Sequence, residues 1–562
     1  MLFVALLLSA ALAGNGNNVK GKLLLVPYPQ IVEANFLNPT SISATSKITY
    51  TLSDNCKGNT ECVEFVKNNF NHSITFPLQR QMNLDDFRLS LFAPIDLINL
   101  TPDIQNSVQT ISIELTAEDF FPELTIGVDE SYTLDITTES ISIKAPTVFG
   151  LRNSFETLVQ LFRPYNGKYV ITQVPISIKD FPRFKWRGLM VDCARNPFTL
   201  STYYKIINAM AMFKSNMLHL HLTDGQTFLF ESTEYPLLSQ KGSYTQKKVL
   251  TQKFLKELIA YAKTRGIIVY PEIDLPAHAA SWGIGYPDIV ADCWDYIKTW
   301  TYNENLPALN PVTDETFKVL DALFGKELPS VFTSEYIHIG GDEMNEVAWS
   351  RSKEVSAINA WMTEKGIKTY LDLEGYFNKY VQTQVINANK KGVAWEEVYA
   401  KGNADLSTVI QVWSNITYLK MAVDDGYKAI WSEGLYLDVQ APACPDSERV
   451  EKGCKVSHMY VWTNRDFYNS DPTIDFSPEE LENVLGAEAA SWHESVDDQN
   501  VMERIFQRYG AISERLWSPS YYTDADSLEV RADYLRCVGL RRNILKGSGP
   551  LYHSYCQLPE NL

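Results

Sequence analysis

The chain has 562 residues, 45% hydrophobic and 12% aromatic, so it is globular and longer than one ordinary core holds. Fifty Lys and Arg stand against 68 Asp and Glu, a net charge of −18. That balance argues against nucleic acid or an anionic membrane surface as the main partner, because both select clustered cations.

The N-terminal run "MLFVALLLSAALAGNGNN" is apolar and then small. It predicts a signal peptide over residues 1–13, cut near Ala13, and is too short to span a bilayer comfortably. The protein expected is a soluble one of the secretory pathway, bound for a lysosome, a secretory granule or the exterior. N-x-[ST] sequons at Asn71, Asn99 and Asn415 fit that compartment. So do three local cysteine pairs, Cys56 with Cys62, Cys444 with Cys454 and Cys537 with Cys556, which predict disulfides. Cys193 and Cys293 are expected free and buried.

Residues 22–180 read as a small α+β domain. "TISIEL", "YTLDIT" and "SISIKA" alternate as strands with one buried face. "TVFGLRNSFETLVQLF" (147–162) then carries Val148, Leu151, Phe155, Leu158 and Val159 at helical spacing. "FPRF" at 181–184 marks the boundary.

From 181 to 562 the pattern changes to helix, glycine and strand in repetition, the cadence of parallel β with crossover helices. Eight runs qualify as strands: "RGLMVDCAR", "NMLHLHLTD", "IIVYPEID", "EYIHIGGDE", "GVAWEEV", "TVIQVWS", "KAIWSE" and "LGAEAASWHE". Eight strands over this length predict an α/β fold of the (β/α)8 barrel type, the TIM barrel. A doubly wound open sheet competes, but it would want a glycine-rich loop where this chain has "CARNPF".

The active face of such a barrel lies at the carboxyl ends of its strands. Those ends carry Asp192, Arg195, His219, His221, Asp224, Glu272, Asp274, His278, Asp342, Glu343, Trp395, Trp413, Tyr436, Asp438, Trp492 and Glu494. Aromatic faces stack on sugar rings and carboxylates take hydroxyls, so this lysine-free set suits a neutral carbohydrate. Taken singly, the members have structural readings: a Trp fills a core, and Arg195 pairs with Asp192. "HLHLTD" resembles an H-x-H metal motif, yet barrel metallohydrolases want further histidines on later strands plus a lysine, and His278 and His338 are the only others near barrel strands, so no metal is expected. Asp342 and Glu343, adjacent after Gly340-Gly341, resist a structural reading, because burying two like charges is costly without a use.

"HIGGDE" (338–343), "EIDLPAHAASW" (272–282), "RGLMVDCARN" (187–196), "VAWEEV" (393–398) and "LYLD" (435–438) resemble the signatures of glycoside hydrolase family 20. The resemblance runs from about residue 20 to the C-terminus. It implies an exo-β-N-acetylhexosaminidase that removes terminal β-linked GlcNAc or GalNAc with no cofactor, and it allows a homodimer. It further implies that the substrate's own acetamido oxygen attacks the anomeric carbon. Glu343 would then be the acid and base, and Asp342 would hold the acetamido N–H and the oxazolinium charge. Arg195, Glu494 and Asp438 would bind sugar hydroxyls. Trp395, Trp413 and Trp492 would wall the acetamido pocket, with Tyr436 donating to the acetamido oxygen. Asp224, Asp274 and His278 would stand behind the two acids. A proton donor beside an ionised acid is expected to have a raised pKa.

Two departures from the family pattern follow. Ala277 replaces a usual glycine, and a demand for positive φ there would shift His278. Val439 follows Asp438 where a cation would favour sulfated sugars, which argues for neutral substrates.

Overall fold

The computed structural model describes residues 23–34, 40–75, 104–165, 168–300, 305–438, 462–549 and 556. The signal peptide, Asn99, the Cys444–Cys454 pair and Val439 lie outside the described residues. Among those described, no helix is long and apolar enough to cross a membrane.

The N-terminal unit is one eight-stranded sheet. Its strands are β1 (Ile31–Ala34), β2 (Thr40–Leu52), β3 (Ile104–Leu115), β4 (Tyr132–Ile136), β5 (Ile141–Ala145), β6 (Arg163–Tyr165), β7 (Lys168–Val174) and β8 (Ile176–Asp180). They run in the order β1-β8-β4-β5-β3-β2-β7-β6. The helices α1 (Thr60–Phe70) and α2 (Val148–Leu161) supply residues to the core of this unit. Thr147 caps α2 by accepting the Phe149 and Gly150 amides. The apolar stripe of α2 lies in that core, but its polar side is buried as well. Arg152, Asn153, Glu156 and Gln160 are each 1–2% exposed, because that side faces the rest of the chain. Arg152 donates to the Ala211 carbonyl and Glu156 pairs with Arg542. Two more buried ion pairs cross the same seam, Arg187–Glu130 at 2.6 Å and Lys214–Asp180 at 2.8 Å.

The second unit is a closed parallel barrel of β9 (Trp186–Asp192), β10 (Met217–His221), β11 (Ile268–Leu275), β12 (Tyr336–Gly340), β13 (Lys391–Trp395), β14 (Val409–Val412), β15 (Ala429–Trp431) and β16 (Val484–Ser491). All eight runs read from the sequence are its staves, and β16 closes on β9 from Gly486↔Trp186 to Ser491↔Val191. One side of each strand joins the large outer core with the helices: Leu218 and Leu220, Val269 and Ile273, Ile337 and Ile339. The other side fills the barrel. Its lowest ring is a separate apolar cluster of Trp186, Met217, Ile268, Tyr270, Tyr336, Val393, Val409 and Ile430. Two residues further along the strands the interior turns polar, with His219, Glu272, His338, Gln411 and Glu488 all fully buried. The strand ends above this ring carry the site.

Cys56–Cys62 and Cys537–Cys556 are disulfides, and Cys193 and Cys293 are free and buried. Asn71 and Asn415 are exposed.

Candidate active site

The glycine pair before the two acids has a steric cause. Gly340 (φ 65°) and Gly341 (φ 100°) both lie in the left-handed region. A Cβ on Gly340 would sit 1.7 Å from Asp274 Oδ1, and one on Gly341 would sit 2.3 Å from Val398. With no side chains there, the Gly341 amide donates to Asp274 Oδ1 at 3.1 Å. The strand end is thus pressed against a third carboxyl before Asp342 and Glu343 emerge.

The two acids then meet different surroundings. Asp342 is buried, with its side chain 11% exposed, whereas the Glu343 side chain is 55% exposed. Burial pushes the pKa of Asp342 up, and the charges of Glu272 and Glu343 add to it against the pull of His278. Asp274 beside it is pushed up further, first by burial and then by the charge of Asp342. Two buried like charges side by side resist ionising together, so the pair titrates as a unit. Glu343 is instead held below its ordinary value, chiefly by His278. This corrects the expectation of a raised proton donor. Glu343 is the more exposed acid and faces a cation, while burial raises its neighbour.

His278 links the acids. Its Nδ1 lies 3.0 Å from Asp224 Oδ1, and its Nε2 lies 3.5 Å from Glu343 Oε2 and 3.9 Å from Asp342 Oδ2. Burial pushes the ring towards neutrality, but the charges of Asp224 and Asp274 and the hydrogen bonds to Asp224 and Glu343 together hold its pKa well above the usual range. The feared strain falls one residue later than Ala277: His278 itself takes φ 53°, as Glu343 takes φ 50°. Left-handed backbone at non-glycine residues is a cost that structures retain at working sites.

Arg195 follows β9 and reaches Asp224 Oδ2 at 2.6 Å and Asp192 Oδ2 at 3.4 Å. Its guanidinium lies 4.8 Å from the centre of the Trp492 ring. Trp492 neighbours Trp395 at 6.0 Å, and Trp413 neighbours Tyr436 at 6.4 Å. Burial and the charges of Asp438, Asp342 and Glu397 raise the Tyr436 phenol, so it stays a hydrogen-bond donor. Glu494 is raised by burial, partly offset by Arg195. Asp438 is buried near the same mouth, and its charge acts on Tyr436 and Glu494. Every residue singled out from the strand ends thus belongs to one linked constellation.

Two residues that position the walls were not singled out for a role. Glu272 accepts the Trp395 indole N–H at 2.8 Å. Glu397 accepts that of Trp413 at 3.0 and 3.2 Å, and burial together with the charge of Asp342 lifts its pKa to about 7. The signal for Glu397 was the doubled acid in "WEEV". His219, Glu272 and His338 bring possible metal-ligand atoms within 4.8 Å of one another, as do two groups around His278. Their short contacts are those of acid–imidazole pairs.

A family model described as "Glycosyl hydrolase family 20, catalytic domain" matches residues 184–520, and one described as "beta-acetyl hexosaminidase like" matches 25–161. The chain belongs to glycoside hydrolase family 20. It is a glycosidase of the exo-acting β-N-acetylhexosaminidase type, and its substrate is a carbohydrate. It is 55% identical to the beta-hexosaminidase subunit beta of Entamoeba histolytica, over the full length of both. It is 33% identical to the mouse beta-hexosaminidase subunit beta over 81% of this chain and 80% of that one. Among solved structures, a chitobiase of Flavobacterium johnsoniae superposes with a TM-score of 0.72 at 26% identity, covering 93% of this chain and 73% of that one. The β-N-acetylhexosaminidase of Streptomyces coelicolor shares the fold with a TM-score of 0.69 at 22% identity, over 95% and 98% of the two chains.

Proposed function

We propose that Glu343 is the acid and base of the family 20 reaction in this chain, and that Asp342 supports the substrate's acetamido group. The carrying observation is that two consecutive carboxyls share His278 on one side of the pocket. A double-displacement glycosidase sets its carboxyls on opposite sides of the bond, about 5–5.5 Å apart, and neighbours on one strand end are not so placed. Attack by the acetamido oxygen removes the need for a protein nucleophile. Glu343, partly exposed beside a cation, gives its proton to the leaving oxygen and then draws one from water. His278 offsets the carboxylate that remains. Asp342, in its ionised form, accepts the acetamido N–H and offsets the growing oxazolinium charge. Tyr436 donates to the acetamido oxygen, while Trp395, Trp413 and Trp492 wall the pocket. Arg195, Asp438 and Glu494 take the hydroxyls of a terminal GlcNAc or GalNAc.

Kinetics across a series of aryl glycosides test this division. In Glu343→Gln the loss must grow as the leaving phenol becomes less acidic; in Asp342→Asn it must not. Equal dependence in both variants overturns the reading. The apolar N-terminus, the exposed sequons and the two disulfides support entry into the secretory pathway. The relatives' names call them subunits, which supports an assembly, and light scattering reads directly whether it is a homodimer.

A further inference from the structure

Beneath the two acids a row of buried charges descends from His278, and below His278 the reaction as described leaves it unused. Each imidazole in it is bracketed by two carboxylates. His278 lies between Glu343 at 3.5 Å and Asp224 at 3.0 Å. His221 lies between Asp224 at 3.0 Å and Glu272 at 2.5 Å. His219 lies between Glu272 at 3.1 Å and Glu488 at 2.7 Å. A carboxylate only accepts, so His221, hydrogen-bonded to one at each nitrogen, is set to carry both protons. Glu272 is where this row meets the pocket wall. Its Oε2 takes His221 and its Oε1 takes the Trp395 indole.

We propose that Glu272 is a positioning residue for the hydrolysis: it keeps His221 doubly protonated against Asp224, and through Asp224 and His278 it sets the acidity of Glu343. The proposal rests on the reading of Glu343 as the acid. The groups that face Glu272 are His219 and His221 from β10, His338 from β12 at 3.1 Å and Trp395 from β13. Asp274, on its own strand, and Asp342 feel its charge. Glu343 in turn feels His278, Arg195, Asp224 and Asp342. Burial pushes the His221 ring towards neutrality, and Glu272 heads the charges that oppose it, ahead of Asp224.

Glu272→Gln keeps the shape. Its amide oxygen still accepts from Trp395, and its NH2 donates to His221 Nδ1, which must then be unprotonated. His221 loses one proton and its charge. That charge stands one link closer to Glu343 than the carboxylate removed with it, so Glu343 holds its proton more firmly.

The experiment is the pH profile of kcat/KM on an aryl β-GlcNAc for wild type, E272Q and the charge-conserving E272D, with melting curves of each. In E272Q the alkaline limb should move up by a few tenths of a pH unit, roughly a twofold gain in protonated Glu343 on that limb, because the loss of the nearer His221 cation is only partly offset by the loss of the Glu272 carboxylate one link further away. In E272D the limb should stay where wild type has it, whatever the rate. A uniform loss in E272Q with the limb fixed, a limb moved down, or an equal shift in E272D overturns the proposal. Should E272Q fail to fold, H221Q removes the same cation and must raise the limb; a fixed limb there is equally fatal. E343Q separates the two readings. An alkaline limb that persists in E343Q overturns Glu343 as the acid, whereas a limb lost in E343Q but fixed in E272Q overturns only the role of Glu272.

Discussion

The two interior rings of the barrel come from the same strands, two residues apart, and are equally buried. The lower one, from Trp186 to Ile430, is apolar apart from the indole and phenol tips. The upper one holds His219, Glu272, His338, Gln411 and Glu488. Burial of apolar side chains stabilises by about 1.5–3 kcal/mol each. Burial of ions is neutral at best unless every charge is matched. The upper ring is matched by geometry: Glu488 alone receives His219 at 2.7 Å, the Tyr270 hydroxyl at 2.7 Å, the Gln411 amide at 3.1 Å and the Trp186 indole at 3.2 Å. One ring holds the barrel together, and the other carries charge to its mouth.

Substitutions can break or sharpen that contrast. The largest effect belongs to Glu343→Gln, with kcat/KM expected to fall on the order of 10²–10⁴-fold, most for the least acidic leaving groups in steady-state assays. Asp342→Asn should cost about 10²–10³-fold in kcat, and a thiazoline mimic of the oxazolinium should bind it more weakly by calorimetry. In the lower ring, Ile430→Ala should destabilise by about 2–5 kcal/mol in denaturant titrations. Its pH profile should be unmoved, and a shifted limb would erase the distinction between the rings.

His278→Asn acts at the boundary. His278 lowers the pKa of Glu343, so its loss raises that pKa and the protonated acid persists to higher pH. The alkaline limb of kcat/KM should move up, with a lower rate because His278 no longer offsets Glu343 after proton transfer. In wild type the limb should begin on the acid side of neutrality. The smallest effect belongs to Glu397→Gln. Glu397 has a pKa of about 7, so it is neutral well below that pH and the variant should match wild-type inhibitor affinity there. The two should diverge only above it, where the wild-type carboxyl ionises beside Asp342. An equal difference at both ends of the range would mean that Glu397 acts through the Trp413 contact alone.

Much of this was legible in the chain, because some patterns are local. Three β-branched or aromatic runs follow a helix-ending glycine, and all eight runs read as strands became staves. Charged residues at the ends of those runs can only lie on one face, so Arg195, Asp224, Asp342, Glu343, Trp395 and Tyr436 were marked by position alone. Close cysteines declare short loops, and two such pairs are bonded. What the sequence by itself determined was therefore strand count, the face that bears the site and the residue types on it.

The tertiary structure decided everything that depends on which residues approach from afar. The polar side of α2 looks like a solvated face and is buried, because Arg542 arrives from a helix 386 residues away to meet Glu156. "HLHLTD" looks like a metal motif, until Glu272 and Glu488 from β11 and β16 place a carboxylate at each ring nitrogen of His219. The acidities of Asp342 and Glu343 lie even further from the sequence. Two adjacent carboxyls have the same intrinsic chemistry, and only burial against Asp274 for one and exposure beside His278 for the other sets them apart. Desolvation and Coulomb terms depend on distances through space, which the order of residues along the chain does not contain.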